Sequence, residues 1–196
     1  AKVDEKALEK SRDFQKGNFN ESTGEVNTAM GAGVVLYSVT SSNRAAAQDA
    51  RKVNEDVEKA IQEGKLDKDA KVSADNLKKI GYTEEKANKG TNSYKVYNST
   101  KSVAQDQKVM SGFGNNGGEE FLSYLQTGES MVIGKDTDWK KWYENISGHL
   151  LTIKNQDGSW SGHHCITSPV FCTATCVLIL SINNDIDKLT AVGKTK

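Results

Sequence analysis

The stretch from residue 139 to 182 narrows the folds open to this chain more than any other. Trp139, Trp142, Tyr143, Ile146, Leu150 and Ile153 recur at intervals of three and four. That spacing puts them on one face of a helix. The turn Lys154-Asn155-Gln156-Asp157-Gly158-Ser159-Trp160 follows. A second segment, 170–182, then carries Phe171, Ala174, Val177, Leu178 and Ser181 at the same spacing and is apolar nearly all round. Such a segment predicts an inner helix covered on several sides. The motif is therefore helix, tight turn, inner helix.

Part of this pattern occurs again near the start of the chain. Residues 3–15 read as a helix that closes on Gln15-Lys16-Gly17-Asn18-Phe19, beside Gln156-Asp157-Gly158-Ser159-Trp160. In each, a glutamine closes the helix, a glycine lies two residues on, and an aromatic two after that. A polar loop then leads to Thr28-Ala29 or Thr173-Ala174, which opens an apolar segment ending in serine (29–38 and 174–181). An internal repeat of this kind takes precedence over element-by-element reading.

Between the copies, residues 44–63 place Ala46, Ala50, Val53, Val57, Ala60 and Ile61 at helical spacing, with Gly64 as the stop. Ser73 offers a hydroxyl cap to a short helix bearing Leu77 and Ile80. Residues 84–92 are polar and predict a loop; in 94–110, Tyr94, Val96 and Tyr97 suit the start of a strand, whereas Val103, Gln107 and Met110 favour a helix, which is the expectation taken. Residues 112–118 are a glycine-rich loop. Residues 119–133 form a further helix with acidic residues in its first turn and Phe121, Leu122, Leu125 and Met131 on its buried side. The expectation is one all-α domain over 1–196, with repeat units at about 3–40 and 139–182 and a helical middle at 44–133.

Composition excludes some partners. Lys+Arg and Asp+Glu both total 26, so the net charge is zero, and the two signs are mixed along helices instead of gathered in a basic stripe. Nucleic acid is set aside on that ground. The longest apolar run, 177–182, is far short of the roughly 20 residues of a membrane span. A single proline and 17 glycines suit helices joined by glycine turns. Ala1-Lys2-Val3-Asp4 fits either an artificial start or a mature end left by signal cleavage, and the expectation carried forward is an exported protein, periplasmic or secreted.

The Gln-x-x-Gly-x-Trp-like turn with its Thr-Ala-apolar helix resembles the prenyltransferase and squalene-cyclase repeat of the α/α-toroid superfamily. Leu150-Leu151, Gln156 to Gly162 and Thr173 to Ser181 carry the likeness, with Gln15, Gly17 and Phe19 as a degraded copy in which Phe19 replaces the tryptophan of Gln156, Gly158 and Trp160. The resemblance covers about a quarter of the chain. It implies inner and outer helices in a ring, glutamines bonding helix ends and tryptophans tying adjacent repeats. A closed ring takes more repeats than this chain holds, so a partial or small barrel is expected, or a homo-oligomer that completes the ring.

Chemistry is less legible. The Asp-x-Asp-Asp acid cluster of the cyclases is absent, as is the Cys-Gly-Glu-Gln segment of the thioester domains. Asp136-Thr137-Asp138 and Asp185-Ile186-Asp187 are Asp-x-Asp pairs; such pairs hold magnesium or act as acids, and more often cap helices. The catalytic candidates are Asp136, Asp138 and His164.

The richest cluster is His163-His164-Cys165 followed by Cys172 and Cys176. Thiolates and imidazoles of this kind bind zinc, with His163, His164, Cys165 and Cys172 as candidate ligands, but the Cys-x-x-Cys knuckles that mark zinc sites are missing. A disulfide between Cys165 and Cys172, or inert thiols beside a structural histidine pair, are the competing readings, and no cofactor is favoured. His149, beside Ile146 and Leu150, reads as structural. The functional expectation is a binding or structural module for a small-molecule or protein ligand; the alternative is an enzyme whose central cavity takes an isoprenoid or a glycan.

Overall fold

A computed structural model describes residues 3–20, 22–114 and 116–191. Among them the chain is mostly helical: α1 (Glu5–Lys16), α2 (Val35–Gln62), α3 (Ala74–Lys79), α4 (Glu84–Ala104), α5 (Gln107–Met110), α6 (Gly118–Ile133), α7 (Trp139–Thr152), α8 (Pro169–Ser181) and α9 (Ile186–Ala191). Strands β1 (Phe19–Asn20) and β2 (Glu25–Val26) pair antiparallel, Phe19 opposite Val26. No described helix is long and apolar enough to cross a membrane.

Helix α2 is the spine. It packs on α1 and α4 along one side and on α6 on another, and α6 in turn meets α7, α8 and α9. Its 28 residues run without a break through the 39–43 stretch, so residues 35–38 of the segment expected at 29–38 join the helix expected at 44–63, and the first part of that segment is a short 3₁₀ turn at Ala29–Gly31. The hydroxyls there do not break it, because Thr40 donates to the carbonyl of Leu36, Ser41 to that of Tyr37 and Ser42 to that of Ser38. These are back-bonds to the preceding turn, compatible with a continuous helix. Gly64, in the left-handed region at φ 69°, stands just past the end of α2, the stop that the sequence predicts.

The loop predicted at 84–92 is instead the first half of α4. Thr83 caps it through the N–H of Lys86, and Glu84 and Glu85 sit where the helix dipole favours anions. Apolar periodicity is missing there because the buried positions are small: Ala87 and Gly90 face α2, and a Cβ on Gly90 would lie 2.6 Å from Cγ1 of Val53. Small residues let α2 and α4 approach closely. Asn43 then crosslinks them, donating to the Tyr97 carbonyl and to Oγ1 of Thr100, both at 3.0 Å. The helix expected over 94–110 is interrupted at Gln105 and restarts as α5, where Asp106 accepts from the N–H groups of Lys108 and Val109.

Two buried faces also differ from expectation. On α6, Phe121 and Met131 are buried but Leu122 is exposed. On α8, Cys172, Thr175, Cys176 and Ile179 face the core, whereas Val170, Val177 and Leu178 are 80%, 52% and 52% exposed. The helix is buried along one stripe and is not enclosed. The main core lies between α6, α7 and α8, where Phe121, Trp142, Ile146, Leu150, Trp160, Cys176 and Ile179 pack together.

The two copies of the repeat pattern diverge locally. Gln15 lies in the last turn of α1, but α7 ends at Thr152, so Gln156 sits exposed in the turn beyond the helix. The polar loop of the first copy contains the β1–β2 hairpin, with Phe19 buried against Ala46, Ala50 and Val96.

Candidate functional site

Two loops meet at the start of α6. Residues 112–114 and 116–117 precede the helix, and 161–168 pass beside its start before α8. His163 donates its backbone N–H to the carbonyl of Asn116, and Gly118 donates to the carbonyl of Ile166, each at 3.0 Å. The crossing is too tight for a side chain at Gly162, where a Cβ would lie 2.3 Å from the Ile166 carbonyl oxygen. Glycine is required at this point by space alone.

Glu120 locks the junction. It is wholly buried on the first turn of α6, 0% exposed, and its carboxylate accepts from Tyr37 Oη at 2.6 Å, from the N–H of Phe113 at 2.9 Å and from the N–H of Gly117 at 3.0 Å. Burial of a carboxylate demands such donors. Nε2 of His164 lies 3.3 Å from the same carboxylate, and the imidazole rests on the Phe113 ring at 5.2 Å between centroids. Burial and the Glu120 hydrogen bond push the Tyr37 phenol well above its ordinary range.

Beside this lies a mixed cluster. Glu119, His164 and Cys165 each bring one ligand-type atom within 4.8 Å of the others. Glu119 also accepts from the N–H of Ile166 at 3.2 Å. Cys165 sits in the left-handed region at φ 44°, an uncommon conformation for a residue with a Cβ. Its thiol is pushed up by desolvation and by the neighbouring Glu119 and Glu120 carboxylates. A thiol in that setting is a poor nucleophile, because attack needs the thiolate.

On the other side of the 112–117 loop, a cleft of about 620 Å³ opens between α5, α7 and the loops. Met110, Tyr124, Trp142 and Ile146 give it apolar surface, and amides from Gln105, Gln107, Asn116 and Asn145 give it polar rim. Asp138, Lys141, His149 and His163 add charge and imidazoles. Nε2 of His149 is 3.1 Å from Oδ1 of Asn116, with the ring edge-on to Tyr124. Trp142 is buried, and its indole Nε1 has no hydrogen-bond partner among the described residues. Few buried polar groups in folded proteins are left so.

The adjacent histidines therefore part company: His163 lines the cleft and His164 faces Glu120. Asp136 and Asp138 also separate. The Asp136 side chain is buried and paired with Lys101 at 2.6 Å in a second cleft of about 410 Å³, while Asp138 precedes α7 and lines the first. Of the four zinc candidates, His164 and Cys165 join Glu119, His163 turns to the cleft, and Cys172 is buried on α8 with its sulfur 3.6 Å from the Ile166 carbonyl oxygen. Cys165, Cys172 and Cys176 are all free thiols here. Burial raises the Cys176 thiol to about 12.

Among the repeat residues, Trp160 has the clearest structural part. It is buried, donates its indole N–H to the Leu150 carbonyl at 2.8 Å, and exchanges backbone bonds with Oγ1 of Thr173. It thus satisfies an open carbonyl in the last turn of α7 and ties that turn to α8. Gln15 accepts from Asn18 at 3.5 Å and its backbone carbonyl from Ser42 at 2.8 Å, joining α1 to α2.

Glu119 and Glu120 are the residues that sequence reasoning undervalued. Two acids in a first turn are ordinary dipole partners, and only the Gly117-Gly118 approach that precedes them hints at crowding. Compared with family models, curated proteins and solved structures, the chain matches none.

Proposed function

We propose that this chain is a helical-repeat module that binds a small, hydroxyl-rich molecule, of the glycan type, in the cleft between α5 and α7. The observation that carries the reading is the lining. A volume of about 620 Å³ is in the range of small-molecule sites. Four amides and two imidazoles can each donate and accept, as a polyol requires, over an aromatic floor of Tyr124 and Trp142. Trp142 lines the cleft, and its indole Nε1 is a buried donor without a hydrogen-bond partner among the described residues. An isoprenoid would leave this polar rim desolvated and unpaired, at a cost.

The likeness of residues 150–181 to prenyltransferase and squalene-cyclase repeats supports the repeat part of the reading, as does the Trp160 tie between α7 and α8. A second reading, an enzyme on the same ligand class, draws support from Asp138, His149 and His163 sharing the cleft, since carboxylate and imidazole groups are the usual acids and bases.

The test uses the indole N–H resonances of the three tryptophans, with that of Trp142 identified by its loss in Trp142→Phe. Titrating mono- and oligosaccharides is expected to move the Trp142 resonance and leave that of Trp160 in place. Movement of the Trp142 resonance by a farnesyl-type alcohol and by no saccharide overturns the proposal. Release of a cleaved product from the bound saccharide would favour the enzyme.

A further inference from the structure

We propose that Glu119, His164 and Cys165 form a zinc site with three protein ligands. The inference stands on a different cluster from the cleft and does not depend on what the cleft binds.

The donor set is the first argument. One carboxylate oxygen, one imidazole nitrogen and one sulfur already lie within 4.8 Å of one another. Zinc bonds of about 2.0–2.3 Å in tetrahedral geometry place ligand atoms roughly 3.3–3.8 Å apart. The remaining contraction is within reach of side-chain rotation, because Cys165 is exposed and Glu119 is only half-buried. Oxygen, nitrogen and sulfur together match a borderline-soft ion and do not match magnesium or calcium, which take oxygen.

Charge is the second argument. Glu119 and Glu120 set two carboxylates beside the Cys165 sulfur, and the basic side chain that meets Glu120, at 3.3 Å, is His164. A divalent cation resolves that crowding. On binding, the ion displaces the thiol proton to solvent, so one proton leaves per ion bound and the sulfur coordinates as thiolate.

The support around the site is the third. Glu120, fixed by Tyr37, Phe113 and Gly117, lies 3.3 Å from Nε2 of His164. That is the place a supporting carboxylate takes beside a histidine ligand. Glu119 is held by the N–H of Ile166, immediately after Cys165 in the chain, so the loop that carries two ligands is fastened to the third. Three protein ligands leave a fourth position for water.

Cobalt(II) titration of the chelator-treated protein reads the site directly. One equivalent is expected to bind, with a thiolate-to-cobalt charge-transfer band in the near ultraviolet and release of one proton. Zinc should then abolish the band by displacement. Cys165→Ser is expected to remove the band, and Glu119→Gln to weaken binding by about tenfold or more, with far-ultraviolet circular dichroism unchanged in both. His163→Ala should bind as the parent does. No charge-transfer band, or a Cys165→Ser protein that binds cobalt with the parent's spectrum and affinity, overturns the proposal.

Discussion

Removing the Glu120 carboxylate is the sharpest test of how the two loops are held. Glu120→Ala takes the acceptor from three donors at once: Tyr37 Oη, the N–H of Phe113 and the N–H of Gly117. A buried donor left without a partner costs about 1–3 kcal/mol, and hydrogen bonds to charged groups stand at the upper part of the range. The Gly117 N–H is buried, while the other two bonds are part-buried and recover some hydration. The sum is then about 3–5 kcal/mol, against a total stability of about 5–15 kcal/mol for a domain. At about 2–4 °C per kcal/mol for a chain of this size, the melting temperature should fall by about 6–20 °C. Urea unfolding followed by circular dichroism, with unchanged m-value, gives the free energy directly. Tyr37→Phe should cost about 1–2 kcal/mol, and the double variant should show coupling, since both changes remove one bond. A Glu120→Ala protein within about 1 kcal/mol of the parent would refute the reasoning, as would additivity with Tyr37→Phe.

Other expectations follow from the faces and thiols. Ile179→Ala should destabilise by about 2–5 kcal/mol and Leu178→Ala by about 0.5 kcal/mol or less, because neighbouring residues of α8 face core and solvent; equal losses on denaturant unfolding would show the burial stripe to be misplaced. Thiol titration with an aromatic disulfide should report one thiol, Cys165, in the folded protein and three after denaturation; a count of one after denaturation would mean a bridged pair. The alkaline limb of stability should carry Cys176. Its folded value of about 12 lies above the ordinary 9.0, so the unfolded chain sheds the proton first and stability falls as pH rises through that window. Cys176→Ala, compared with the parent by urea unfolding at alkaline pH, should flatten that fall; an identical slope would remove the thiol from the account. A Cβ at Gly128 would lie 2.7 Å from Ile182 Cδ1 and Trp142 Cζ3, so Gly128→Ala should lower the urea midpoint by the equivalent of about 1–3 kcal/mol, and an unchanged midpoint would mean that α6 and α7 are not so close.

Taken alone, the sequence determined most of the helices, because an apolar stripe at intervals of three and four has one regular solution. Trp139 to Leu150 and Ala46 to Ala60 are legible in that way, as are local caps such as Ser73, whose hydroxyl needs only a donor three residues on. It left 84–92 unread, since Ala87 and Gly90 bury by being small and no apolar pattern reports that. It also over-read α8, where apolar character all round does not say which stripe a neighbour will cover. The tertiary structure alone decided the site. Glu119 and Glu120 lie some 45 positions from His164 and Cys165 in the chain, so no local spacing links them. The consecutive His163 and His164 are sent to opposite sides of the junction. What brings Glu120 to its partners is the crossing of two loops, allowed by the absence of a side chain at Gly162 and enforced by the cost of burying a carboxylate without donors.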